Sequence, residues 1–357
     1  MFVPLVEVTR GRIVESLHLG AIAVVDSRGR LISAAGDPGV RTFLRSSAKP
    51  FQALPLVESG AAQALGLDAQ ELAVACASHN GSPAHQAAVR SLQRKSGVAP
   101  EDMLCGTHPV GDRDEALRLL LAGEEPSVLH HNCSGKHSAM LALARFHWGA
   151  ITSPDGYNYI DPQGPLQQEI LQTFAEMCAM EPAQVEVGMD GCSAPNFAVP
   201  LERAAHGAAR LIDPTGMAEA RQQACARIAS AMMEHPEMVA GEGRFDTVLM
   251  RAGRGRWISK AGAEGYQLIG VRAGAAGRGA PALGIALKVS DGDTTMRTEP
   301  LGESPARAAP LVAIEVLRQL RLLEEEDLGA LASFDRRVLA NWRGLPTGEI
   351  RAAFVLD

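Results

Sequence analysis

The chain has 357 residues, with 41 acidic and 34 basic side chains and a formal charge of -7, so it offers no basic face and no reason to expect nucleic acid as a partner. A hydrophobic content of 46%, with only 4% aromatic residues and 36 glycines, describes a turn-dense globular protein and excludes a disordered or fibrous one. No window approaches 18 consecutive apolar residues and the first ten residues carry no basic-then-apolar leader, so a cytoplasmic protein without a membrane partner is expected. Six cysteines (Cys76, Cys105, Cys133, Cys178, Cys192, Cys225) without a Cys-x-x-Cys pair read as thiols, not as a disulfide frame.

In chain order, residues 3–8 and 12–26 are rich in Val, Ile and Leu and predict antiparallel strands, with a hairpin turn at Asp26-Ser27-Arg28-Gly29 before a strand at 30–35. Arg45-Ser46-Ser47-Ala48-Lys49-Pro50 predicts a helix start, because proline is tolerated where the N–H groups have no intrahelical partner. That places Ser46 or Ser47 near the N-cap. Leu72 to Ala77 predicts a buried strand ending in Ser78-His79-Asn80-Gly81. Helices are predicted at 83–95 and 114–121, a short strand at 128–131, and a helix from Ser138 to Trp148 closed by Gly149.

A helix follows at 165–180, with Leu166, Ile170, Phe174 and Met177 on one face, then a strand at 185–189 leading into Asp190-Gly191-Cys192-Ser193-Ala194-Pro195-Asn196. Residues 217–233 predict a helix, 241–284 a glycine-rich region containing Trp257 to Gly265, 283–289 a strand and 310–322 a helix. Strands near both ends with helices between them predict an α/β (α+β) or αβα architecture in which the terminal segments share one sheet. The expected organisation is one catalytic domain over residues 1–357, with 149–161 as the seam if there are two lobes.

Three separated stretches, 45–50, 132–137 and 190–196, place hydroxyl, thiol, amine and carboxylate groups at expected strand-to-helix turns. Positions i and i+3 share a helix face, so Ser46 Oγ and Lys49 Nζ are expected within hydrogen-bonding reach. A lysine can take a serine proton only as the free amine, and bringing its pKa from near 10.4 to about 7 to 8 requires burial or a second cation. Cys133-x-x-Lys136 reads either as a thiolate activated at a helix N-terminus or, with Cys192, as part of a zinc site that Asp190 and His137 would orient. His130 and His131 are read as strand or loop histidines.

Taken together, Arg45 to Pro50, Cys76 to Gly81, Asn132-Cys133-Ser134-Gly135-Lys136-His137, Asp190 to Pro195 and Ser259-Lys260-Ala261-Gly262-Ala263-Glu264-Gly265 resemble the asparaginase II family of the Rhizobium etli inducible type. The resemblance implies a serine β-lactamase/glutaminase-like fold with an antiparallel sheet and a helical region, a homodimer, and hydrolysis of L-asparagine to L-aspartate and ammonia. It implies two serine-lysine tandems, Ser46 with Lys49 and Ser78 with Lys260. Cys133, Lys136 and Cys192 match the family's zinc ligands, and Asp190 and His137 match neighbours of that metal and belong with the expected substrate-binding set. Arg45, His79 and Asn80 are candidates for holding the substrate's α-carboxylate and α-amine. The serine-lysine pair already supplies a nucleophile, so zinc is expected to position substrate or loops. Rival readings are another Ser-x-x-Lys amidase or penicillin-recognising acyl-transfer enzyme, disfavoured by the missing Lys-Thr-Gly element, a thiol enzyme using Cys133, and an inactive zinc- or amino-acid-binding protein.

Overall fold

The computed structural model describes residues 1–293 and 306–357. Its main sheet is antiparallel and runs in the order β10-β11-β1-β2-β9-β8-β7. The strands are β1 (Val3–Arg10), β2 (Ile13–Asp26), β3 (Leu31–Ala35), β4 (Arg41–Phe43), β5 (Glu186–Met189), β6 (Pro195–Pro200), β7 (Trp257–Gly262), β8 (Tyr266–Val271), β9 (Leu283–Val289), β10 (Arg337–Ala340) and β11 (Pro346–Ala352). β3 pairs with β2, and β4, β6 and β5 form a small second sheet. The terminal segments share the main sheet as expected: Glu7 of β1 lies opposite Arg351 of β11. The mixed α/β architecture, an antiparallel sheet with a helical region, holds.

β2 shows how the layers are built. Alternate side chains of a strand point to opposite faces, and here Ala21, Ala23 and Val25 enter one apolar cluster while Ile22 and Val24 enter another. The sheet is therefore buried on both faces, which is why the second half of this strand reads as a continuous apolar run. On the first face the sheet carries small residues, so the helix Leu201–Ile212 lies almost in contact with the strands: a Cβ on Gly284 would sit 1.7 Å from the Ala205 carbonyl oxygen. The second face is covered by the helices Phe245–Gly253, Ala309–Gln319 and Glu325–Leu331. Residues on both sides of the 149–161 stretch pack into the first cluster, Leu141 before it and Leu166 and Ile170 after it.

Two predicted strands are helical. Residues 69–75 form a helix opened by a capping box, with Asp68 Oδ1 accepting from the Glu71 N–H at 3.0 Å and Glu71 Oε2 accepting from the Asp68 N–H at 2.9 Å. Its residues Glu71 to Ala75 are all buried, which erases the helical periodicity and leaves a run that reads as a strand. The segment Val128–His130 is a 3-10 turn, closed by the Ser127 N–H donating to His130 Nδ1 at 3.0 Å. Accordingly 132–137 follows a turn, not a strand, and 190–196 lies in the hairpin between β5 and β6. The helix Leu201–Ile212 and the β7–β8 hairpin occupy stretches that the sequence reading leaves unassigned.

Candidate active site

The helix containing Lys49 begins through a 3-10 turn, Arg45–Ala48, and Pro50 sits in the first turn of the α-helix Lys49–Gln52. Neither Ser46 nor Ser47 caps it. Ser47 Oγ donates to the Lys260 carbonyl at 2.7 Å, tying this turn to β7. Arg45, immediately before Ser46, has φ +51, a left-handed conformation that costs a non-glycine residue about 1 to 3 kcal/mol. It is held there by Asn196 Oδ1, which accepts its backbone N–H at 3.0 Å, and by Asp190 Oδ1, which accepts from Arg45 Nε at 2.8 Å.

Among the described residues no hydrogen bond joins Ser46 Oγ to Lys49 Nζ, although both lie on the same turn; that expectation is corrected. Lys49 Nζ instead donates to the Ala77 carbonyl at 2.5 Å and reaches Ser78 Oγ at 2.9 Å and the Asn132 carbonyl at 3.5 Å. Ser78 Oγ is also 2.9 Å from Lys260 Nζ, so a single hydroxyl bridges two buried lysines. Lys49, Ser78 and Lys260 are thus one connected unit, and among the described residues no hydrogen bond joins the Oγ of the half-buried Ser46 to it. Ser78 is fixed by its backbone, its N–H donating to the Val239 carbonyl and its own carbonyl accepting from Arg244.

Lys260 titrates at about 7 instead of 10.5. Burial is the main cause; the Lys49 and Arg244 cations push the same way, while Asp246 and Cys133 oppose them. Near neutrality Lys260 is therefore divided between its ammonium and free-amine forms.

Next to this unit lie the sulfur groups. Lys136 Nζ donates to Cys192 Sγ at 3.0 Å, and Cys133 Sγ lies 3.1 Å from Asn132 Oδ1. Cys133 is held well below the usual thiol range by its hydrogen bond with Cys192 and by Lys49 and Lys136, against burial, whereas the same bond pushes Cys192 up. Burial opposes the Lys136 charge, but the sulfurs and Asp190 outweigh it and raise its pKa. Burial also opposes ionisation of Asp190, which is nonetheless held low by Lys136 and Arg45. His137, lowered to about 4 by burial, bonds Tyr159 Oη at 2.8 Å through Nδ1. Its Nε2 is buried on the side of Cys192.

Of the expected substrate-binding residues, Arg45, Asp190 and His137 gather around the sulfurs, and Asn80 borders a cavity of about 790 Å³ together with Arg244, Asp246, Ala261 and Glu264. His79 does not face it. Its Nδ1 accepts the Gly81 N–H at 3.1 Å and its Nε2 lies 2.9 Å from Ser134 Oγ, so it joins two loops as a neutral ring. A second cavity of about 500 Å³ shares none of these residues, and its Arg221 is already paired with Glu58 and Glu176. Sequence reasoning missed Asp246, and it placed Ser47, Asn132 and Asn196 inside the singled-out stretches without giving them the contacts they make. Their contacts with the lysines, Arg45 and β7 are tertiary: Asp246 meets Ser259 13 residues on, and Ser47, Asn196 and the Asn132 carbonyl meet partners farther away still.

The sequence profile of L-asparaginase II matches residues 6–352 of this chain. The chain belongs to the L-asparaginase II family. No curated protein sequence matches this family member. Among solved structures, one of Mglu is 16% identical over 85% of this chain and 67% of its own, with a TM-score of 0.41. A β-lactamase from Burkholderia ambifaria is 14% identical over 88% of this chain and 95% of its own, with a TM-score of 0.36. A Bacillus glutaminase is 11% identical over 85% and 91%, with a TM-score of 0.37. At such TM-scores the likeness is loose, and the chemistry of this L-asparaginase II family member is read from its own side chains.

Proposed function

We propose that this protein hydrolyses L-asparagine to L-aspartate and ammonia through a serine-bound acyl intermediate. The observation that carries the reading is the Ser78 hydroxyl 2.9 Å from both Lys49 and Lys260 Nζ, with one ammonium poised near neutrality. Lys49 takes the proton of Ser46 as Ser46 Oγ bonds to the side-chain amide carbon, while a proton passes from Lys49 through Ser78 Oγ to the free amine of Lys260. The C–N bond then breaks, and the departing nitrogen receives a proton through Ser78, which draws on the lysine pair. Water, deprotonated by the regenerated amine, cleaves the ester and releases aspartate and Ser46. Arg45 is assigned to the substrate α-carboxylate, and Asp190 and Asn80 to its α-amine.

The donor set at Cys133, Lys136 and Cys192 fits zinc: two sulfurs and an amine are buried together, the Cys133 thiol is held well below its usual range, and His137 lies beside Cys192. Among the described residues no three His, Cys, Asp or Glu side chains gather as a site, so lysine would have to serve as the third ligand. Bound zinc would fix these loops and polarise polar groups of the substrate. The set supports placing the protein with the Rhizobium etli inducible type. A homodimer is carried over from the same resemblance, and the exposed Ile13, Val14 and Leu17 of β2 are consistent with it.

The test is ammonia release from L-asparagine and L-glutamine by wild type and Ser46→Ala, with and without added zinc. Asparagine turnover that falls at least about a thousand-fold in Ser46→Ala supports the reading; no ammonia from folded wild type sinks it. Discrimination against glutamine rests on one methylene, worth about 1 to 3 kcal/mol. Ser78 as nucleophile is the second reading, favoured by its direct bonds to both lysines. Hydroxylamine trapping separates the two, because the acyl adduct disappears from whichever serine variant has lost the nucleophile.

A further inference from the structure

β7 is an edge strand of the main sheet, so its position beside the helical region is not fixed by strand pairing on both sides. Asp246, in the first turn of the helix Phe245–Gly253, adds a second restraint to the one Ser47 Oγ makes at the Lys260 carbonyl. It is only 3% exposed. Its Oδ1 accepts from Ser259 Oγ and from Gln267 Nε2, both at 2.7 Å, and its Oδ2 accepts from the Ala261 N–H at 2.8 Å. Gln267 Nε2 also donates to Ser259 Oγ at 2.8 Å, closing a ring of bonds. Every partner of the carboxyl is a donor, which is the role of an ionised carboxylate. Two of the three, Ser259 and Ala261, flank Lys260 in sequence.

We propose that Asp246 is the positioning residue for Lys260: it clamps the strand on both sides of the lysine and supplies the anion that offsets the cations gathered there. The groups acting on Lys260 come from four other elements. Lys49 and Arg244 push against its charge, Cys133 acts in the opposite sense, and Ser78 offers its hydroxyl. Asp246 is the carboxylate among them. An isolated buried lysine sheds its proton too readily to serve in a relay that must both hold and release one. Asp246 pulls in the other direction, keeping Lys260 within reach of both forms near neutral pH.

This inference rests on the proposed role of the lysine pair, so its test includes a measurement independent of turnover. Lysine ε-carbons are labelled with 13C and titrated by NMR in wild type, Asp246→Asn and Asp246→Glu, with the Lys260 signal assigned by its loss in Lys260→Met. Removing a nearby anion should lower the Lys260 midpoint by about one pH unit or more in Asp246→Asn. Asp246→Glu, which keeps the charge and disturbs the clamp, should leave the midpoint within a few tenths of wild type. If ammonia release is measurable, the acid limb of kcat/KM against pH should move down with the midpoint in Asp246→Asn, while in Asp246→Glu kcat should fall with the limb in place. A midpoint unmoved in folded Asp246→Asn overturns the proposal, and so does an equal shift in both variants. Should Asp246→Asn not fold, Asp246→Glu decides: a midpoint displaced by a full unit overturns the proposal. If the midpoints behave as stated but no amide is hydrolysed, the asparaginase reading fails and the assignment of Asp246 stands.

Discussion

Replacing Lys49 by methionine removes one of the two cations that share the Ser78 hydroxyl. Each amine nitrogen is 2.9 Å from Ser78 Oγ, so the two nitrogens are at most about 5.8 Å apart, twice that distance. Two unit charges at this separation repel by about 3 kcal/mol at an effective dielectric of 20, or roughly two pH units of titration. Lys49 destabilises the Lys260 ammonium, so its removal must raise the Lys260 midpoint. From about 7 in wild type, the midpoint should climb toward roughly 9 in Lys49→Met. Burial, the larger cause of the depression, remains and should keep it below the 10.5 of a free lysine. The 13C titration of lysine ε-carbons reads this directly and needs no activity. A midpoint still near 7 in the folded variant refutes the coupling and leaves burial as the whole cause.

The same pair sets the pH dependence of wild type. Below about 7 Lys260 is an ammonium and cannot take up the proton, so kcat/KM should fall tenfold per pH unit as pH drops through that value and level off above it; a profile flat between pH 5.5 and 8 contradicts the assignment. In the core, Gly284→Ala places a Cβ 1.7 Å from the Ala205 carbonyl and must push the helix Leu201–Ile212 off the sheet. Overpacking of this kind costs roughly 1 to 3 kcal/mol, visible as a lowered midpoint in thermal or urea unfolding.

Much of this was legible in the sequence, and the misses have specific causes. The shared sheet of the terminal segments follows from strand patterns at both ends, and the turn at 26–29 and the helix beginning at Pro83 carry their own local signals. The helix at 69–75 was hidden by complete burial, although Asp68 and Glu71 spell its capping box. The small, alanine-rich face of 201–212 follows a helical period, yet only the glycines of the facing strands explain why it must be so small. At the site, the residue types of Lys49, Ser78 and Lys260 are visible from their motifs. Which lysine meets which serine is a tertiary fact: Ser46 and Lys49 are neighbours in sequence, but the hydroxyl that Lys49 contacts comes from 29 residues away. Asp246 had no signal, because a buried carboxylate announces itself only through the donors that surround it.

The pairing of β1 with β11 also governs the order of assembly. Glu7 cannot find Arg351 until nearly the whole chain has been made, and β2 must likewise wait for β9. The helical region between them, from Lys49 to Gly253, is continuous in sequence and closes mostly shorter loops. Loop-closure entropy therefore favours a protein whose helical half condenses first on the ribosome, with the first 26 residues held as an unpaired hairpin until the last strands emerge. During that interval the exposed β2 edge is the segment most vulnerable to pairing with another chain.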